Sequence, residues 1–380
     1  APSGVPIIAP PPDHGARLPL TAEAAAKIRI ANLLAREACV RGADELNGIE
    51  PVGAGEEEEA RQAERLKWEH TLAVGPELRA SVVGWLLEVL PDKYMYSNTP
   101  HRSASLESSA SSVYSACGYE EGRPDFIDQL LTSPETRFHA AYMFARYFYL
   151  FMGEKIERSQ REATAAEDKA GDEMARDGWP LVVWDVCLAC LAISIKMHRD
   201  VLEPLSPVLS WEFEAIAPHE LSYTDLELAQ RDVLAAFHYS LGCTPQPILD
   251  ELWTALPSLR QLLEFRGGWI HAQKEAWYLL FDAVGEPDIL TFPVSLLTAA
   301  ALTEALVTVL VCKFKYDAAT NGRVFRRRPR ESQPGAKKLE ERLVERAWRE
   351  IEGVVQDVQA VIGVSDERLK ACQRWLCAVA

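Results

Sequence analysis

The amino-acid sequence predicts an all-α fold, and three observations carry that prediction. Apolar residues recur at helical spacing in segment after segment, as in Leu78, Val82, Trp85, Leu86 and Val89. No segment shows the strict every-second-residue alternation of a half-buried strand. The nearly unbroken apolar run from Trp179 to Met197 (WPLVVWDVCLACLAISIKM) is too long for a strand. It reads as a buried central helix whose Ala and Cys residues permit close packing on several sides.

The elements follow in order. Residues 1–20 (APSGVPIIAPPPDHGARLPL) are Pro-rich and read as an extended arm. Thr21 suits an N-cap, with Glu23 in the first turn of an Ala-rich helix that runs to about Cys39. Residues 48–58 break that helix, and a charged helix follows from Glu58 to Leu72, so that 21–75 form an N-terminal helical extension. Pro76 opens the next helix.

Residues 97–125 lose periodicity, and SNTPHRSASLESSASS reads as a long loop. Helices resume near Phe126 and again from Glu135 to Met152, the latter dense in aromatic residues. Residues 154–176 alternate in charge without an apolar stripe, which predicts an exposed insertion or solvated helix. After the central helix, amphipathic helices are expected at about 210–217, 224–239, 246–264, 270–284, 293–312, 337–360 and 365–378.

Composition narrows the function classes. The 380 residues suggest two to three domains, and 48% hydrophobic content supports a packed core. A formal charge of −16 opposes phosphate backbones and anionic membrane surfaces, so neither nucleic-acid nor membrane binding is expected. The longest apolar candidates for a span, Leu181–Ile195 and Val294–Cys312, are interrupted by Asp185 and by Thr303 and Glu304. Residues 1–20 lack the apolar core of a signal peptide. The eight cysteines are scattered through helix-like surroundings, where free Cys behaves as a small hydrophobe. A reducing compartment, nucleus or cytoplasm, is expected.

Three segments in order then carry a resemblance: LRASVVGWLLEVL (Leu78–Leu90), CLAISIKMHRDVLEPL (Cys190–Leu205) with LSYTDLELAQRDVLAAFHYSLGCTPQPILDELW (Leu221–Trp253), and EAWYLLFDAVGEPDILTFPVSLLTAAALTEALVTV (Glu275–Val309). Together they resemble the cyclins: a first cyclin box, a short link ending in Thr-Pro, and a second box. The resemblance implies two tandem five-helix cyclin-box domains. The first would span 76–243 with insertions near 92–134 and 154–177, and the second 244–380 with an insertion near 315–336.

It also implies a non-catalytic regulatory subunit that forms a heterodimer with a cyclin-dependent kinase and activates it. In this family the first box holds the kinase's mobile helix and activation segment, so that the kinase's Lys–Glu pair and Mg²⁺-binding Asp stay in the active arrangement. The family's kinase-contacting Lys maps onto Lys196 and its Glu partner onto Gln230. Gln hydrogen-bonds in both directions but without charge assistance. The acids that usually follow that Lys are replaced by His198 and Arg199. The family's substrate-docking patch on the first box helix maps onto Leu78, Val82, Trp85 and Glu88, with Ser81 where a large aliphatic residue normally sits. The Arg of that stretch is Arg79, and its usual Asp partner is replaced near Ala145 and Arg146, so Arg79 needs another acceptor or points to solvent.

Other features have plainer readings. Cys187 and Cys190 have CxxC spacing but no second pair, which favours packing over a zinc or redox site. The basic run Phe325–Arg330, with Lys337 and Lys338, reads as a solvated loop, with a nuclear-import or phosphate-binding patch as the alternative. Thr99-Pro100, Ser133-Pro134 and Ser206-Pro207 fit proline-directed phosphorylation and equally fit helix starts and turns. No Gly-rich phosphate loop, HExxH or nucleophile elbow is present, and no cofactor is expected. The competing functional readings are a transcription or nucleic-acid adaptor with the same twin fold, and a helical scaffold or isoprenoid-type enzyme. Overall charge opposes the former, and the lack of DDxxD-like pairs opposes the enzyme.

Overall fold

The computed structural model describes residues 20–48, 58–88, 130, 133–162, 171–198, 210–320 and 334–379. Among the described residues the regular structure is helical throughout, as the apolar periodicity predicts.

Helix α1 (Ala22–Ala43) starts where predicted, because the Thr21 hydroxyl accepts the Ala24 N–H at 3.2 Å. It runs past Cys39, where Arg41 is held by the distant carbonyls of Leu290 (2.9 Å) and Thr291 (3.2 Å) and by the nearby carbonyl of Leu46 (3.0 Å). Helices α2 (Glu58–Leu72) and α3 (Pro76–Glu88) follow, the latter opened by Pro76.

Helix α4 (Pro134–Glu162) and helix α5 (Gly171–Met197) are both longer than expected, since each continues into the charged stretch between them. Within 154–176 the backbone is helical at 154–162 and 171–176. Next come α6 (Ser210–Ile216) and α7 (Tyr223–Ala236), whose start is capped by Ser222.

The single helix expected over 246–264 is two, α8 (Pro245–Ala255) and α9 (Pro257–Leu262). Leu256 between them is extended (φ −114°, ψ 98°), because a residue before proline is forced out of the helical region. Helix α10 (Gly268–Val284) precedes α11 (Val294–Thr320), α12 (Pro334–Ile362) and α13 (Asp366–Val379). Helix α11 passes the expected end at Cys312 and enters the region assigned to an insertion. Lys315 there pairs with Glu340 of α12 at 2.7 Å.

Two apolar helices organise the packing. Helix α5 is buried along Val186–Ala192 and touches α3, α4 and α7. Helix α11 is buried along Leu296–Leu302, the polar Thr298 included, and touches α8, α10, α12 and α13. Both are long and apolar enough to cross a membrane by length and composition, which corrects the expectation that no such run exists; 61% of the α5 window and 89% of the α11 window are buried inside the fold. Helix α1 lies on α8 and α12, and α2 lies on α4. The two helix groups meet where α4 touches α10, with Phe138 and Trp277 edge to face at 5.9 Å.

Candidate docking face

Lys196 stands in the last turn of α5, and Gln230 stands in the middle of α7. The packing of α7 on α5 brings them together: Lys196 Nζ donates to Gln230 Oε1 at 2.6 Å across 34 residues of sequence. Gln230 Nε2 in turn donates to the Leu226 carbonyl at 3.1 Å, which fixes the carboxamide's orientation. Partial burial pulls the Lys196 ammonium below its usual range, and nearby Glu227 acts in the opposite direction.

The lysine carries three donors, of which Gln230 takes one. Around the pair, Met197 and Tyr223 are exposed, and Tyr223, Glu227 and Gln230 share a stripe of α7 at i, i+4 and i+7. Sequence reading missed Tyr223, Glu227 and Met197, although the helical spacing from Gln230 points to the first two. The result is a surface of the Lys196 ammonium, the Glu227 carboxylate paired with Arg231 at 2.7 Å, a fixed amide and two exposed large side chains, suited to gripping backbone and side-chain groups of another protein.

His198 lies just behind this surface and turns inward, its side chain 11% exposed. Its Nε2 meets Nδ1 of the buried His139 at 2.9 Å, and its Nδ1 lies 3.8 Å from Glu135 Oε2. Arg199, the other residue mapped here, lies outside the described residues.

The patch on α3 is split by burial. Val82 has no exposure and lies beneath the surface, Leu78 and Trp85 are half-buried, and Ser81 and Glu88 are exposed. The Trp85 ring meets Trp184 of α5 edge-on at 5.7 Å, so Trp184 belongs to the same surface and was missed. Arg79 does find another acceptor: it is buried and donates to the Gly285 carbonyl before helix α11. Burial lowers its pKa, and its Nε has no hydrogen-bond partner. Arg146, which stands near the family's Asp position, pairs with Asp44 instead.

Among the described residues no group of three His, Cys, Asp or Glu side chains is arranged to hold a metal ion. Cys187 and Cys190 are fully buried, and burial pushes both thiols up, as packing residues require. Ser133 accepts from the Thr136 N–H at 3.4 Å and the Thr136 hydroxyl at 3.0 Å, an ordinary helix start. The basic run at 325–330, Thr99-Pro100 and Ser206-Pro207 lie outside the described residues. Compared with known proteins, the chain matches no family model and no curated protein sequence at a significant level.

Proposed function

We propose that this chain is a divergent cyclin, a non-catalytic subunit that docks on a cyclin-dependent kinase through the Lys196 face and holds the kinase in its active conformer. One observation carries the reading. The two residues that the resemblance assigns to kinase contact, Lys196 at the end of α5 and Gln230 in the middle of α7, are hydrogen-bonded at 2.6 Å, although nothing in the chain's order requires them to meet.

The helix arrangement supports it. Helices α3, α4 and α7 pack on apolar α5, and α8, α10, α12 and α13 pack on apolar α11. Two helical groups in succession are what the resemblance to cyclins implies. Substrate proteins would reach the half-buried strip of Leu78, Trp85 and Trp184 on the first group.

The mechanism is differential binding. A subunit shifts the kinase toward activity only if it binds the active conformer more tightly than the inactive one. A positioned ammonium and amide achieve this by matching carbonyl and N–H groups that the active conformer alone brings into register. The test is retention of purified cyclin-dependent kinases by the full chain. Lys196→Glu should abolish retention while leaving the circular dichroism spectrum unchanged. Retention that survives the change overturns the docking surface.

A further inference from the structure

Two tryptophans stack at the edge of the second helix group. Trp253 of α8 and Trp269 of α10 lie with ring centres 4.7 Å apart and planes 18° from parallel. Both are half-buried, and Ile270 beside Trp269 is 69% exposed. An indole is wide, flat and apolar, yet carries one N–H donor. The indoles of Trp68, Trp277 and Trp375 donate to Glu64, Gln246 and Asp288. Those of Trp253 and Trp269 have no hydrogen-bond acceptor among the described residues.

The turn before α10 fixes the stack. Gly267 has φ 75°, a backbone that favours glycine. A Cβ on Gly268 would stand 2.6 Å from the Leu263 carbonyl oxygen, so glycine is needed for that close approach. The Lys313 ammonium of α11 sits 4.7 Å from the ring centre of Phe265 in the same turn. The platform is thus in place before anything binds it, which lowers the ordering cost of binding.

The start of α1 lies against the same elements. Arg260 of α9 donates to the carbonyls of Trp253 (2.9 Å) and Thr254 (2.5 Å) and to the Glu23 carboxylate (2.9 Å). Further along α1, Arg29 holds Glu251 of α8 at 2.5 and 2.8 Å. Residues 1–20 therefore join the fold beside the backbone of Trp253. They include Pro6-Ile7-Ile8-Ala9-Pro10-Pro11-Pro12. A proline run favours the polyproline II helix, whose carbonyls have no internal partner. Aromatic-lined surfaces recognise such segments. Pro12 stands nine positions before Thr21, which at about 3.1 Å per residue spans roughly 28 Å. That length is ample to bring the run onto the two rings.

We propose that the Trp253–Trp269 stack is a docking platform for this chain's own proline run, Pro6–Pro12. The pyrrolidine rings lie on the indoles, and an indole N–H donates to a carbonyl of the run. The tether makes the contact intramolecular, so a weak intrinsic affinity suffices. The docked run covers the platform against proline-rich segments of other proteins. None of this depends on the cyclin reading.

Fluorine NMR of the full chain carrying 5-fluorotryptophan tests it. Trp253→Phe and Trp269→Phe each remove one of the ten indole signals, which assigns the pair. The triple variant Pro10→Gly, Pro11→Gly and Pro12→Gly leaves the platform untouched. It should shift the Trp253 and Trp269 signals and leave the other eight in place. Adding a synthetic peptide of residues 5–12 (VPIIAPPP) to that variant should return both signals to their positions in the unaltered chain. Trp253 and Trp269 signals that do not move in the triple variant overturn the proposal and leave the stack as packing between α8 and α10. Signals of the unaltered chain that move to the triple-variant positions on dilution also overturn it, because the run then sits on a second copy. The kinase test shares no residue with this one, so the two readings fail separately.

Discussion

Arg146 and Asp44 form a buried two-pronged ion pair, Nε to Oδ2 at 2.5 Å and Nη2 to Oδ1 at 2.9 Å, with the side chains 3% and 5% exposed. The same guanidinium donates to the Ser240 carbonyl and lies 4.3 Å from the centre of the Phe237 ring. One arginine thus joins the end of α1, the middle of α4 and the segment after α7. Removing one partner leaves a buried charge uncompensated, so Asp44→Asn should cost about 3–5 kcal/mol. Urea unfolding of the full chain measures it. Adding Arg146→Met should recover part of the loss, because the stranded charge is then gone.

Much of the helical layout was legible because helix signals are local. Thr21 and Pro76 each mark a start that the structure keeps. The break at Leu256 was missed: Pro257 is its local signal, but the apolar spacing continues across it and hides the interruption. The ends of α1 and α11 were not legible, because Arg41 and Lys315 find their partners at Leu290 and Glu340, far along the chain. The candidate face shows the same division. Lys196 and Gln230 could be named from the resemblance, whereas their contact depends on how α7 packs on α5. Glu135, His139 and Arg146 stand at helical spacing inside an aromatic helix, a signal in itself. What they hold, at 44, 198, 241 and 244, exists only in the fold.

Gln230 gives a prediction with the opposite sign to Lys196→Glu. Its carboxamide accepts from the ammonium without charge assistance, and a carboxylate in its place would roughly double the strength of that contact. Gln230→Glu should therefore tighten kinase retention by about two- to tenfold, corresponding to roughly 0.5–1.4 kcal/mol. The dissociation constant from surface immobilisation of the kinase reads this directly. Weaker binding would show that the neutral amide itself is what the partner recognises.

His139 predicts an acid-side loss of stability. Its folded pKa lies at about 3 because burial disfavours the cation. In the unfolded chain a histidine takes its proton near about 6.5. Between these values the unfolded state binds more protons, so stability falls as pH falls, by at most about 1.4 kcal/mol per pH unit. Urea midpoints should therefore drop from pH 7 to pH 5, and His139→Gln should flatten the drop. An unchanged slope would mean that other groups cause it.

Two adjacent residues on α3 separate packing from recognition. Val82 has no exposure, and trimming it removes buried methyl groups, so Val82→Ala should cost about 1–3 kcal/mol of stability. Any loss of substrate docking in that variant follows from a softened α3. Ser81 is exposed on the same helix beside the strip of Leu78, Trp85 and Trp184. Ser81→Leu adds apolar surface without displacing anything buried, so stability should stay within about 0.5 kcal/mol. If that strip receives apolar peptide side chains, the variant should gain affinity for them by about three- to tenfold, from the area of the added side chain. Fluorescence of Trp85 and Trp184 during titration with a short Leu-containing peptide reports the binding. A stable Ser81→Leu chain with no gain would place substrate recognition elsewhere on the molecule.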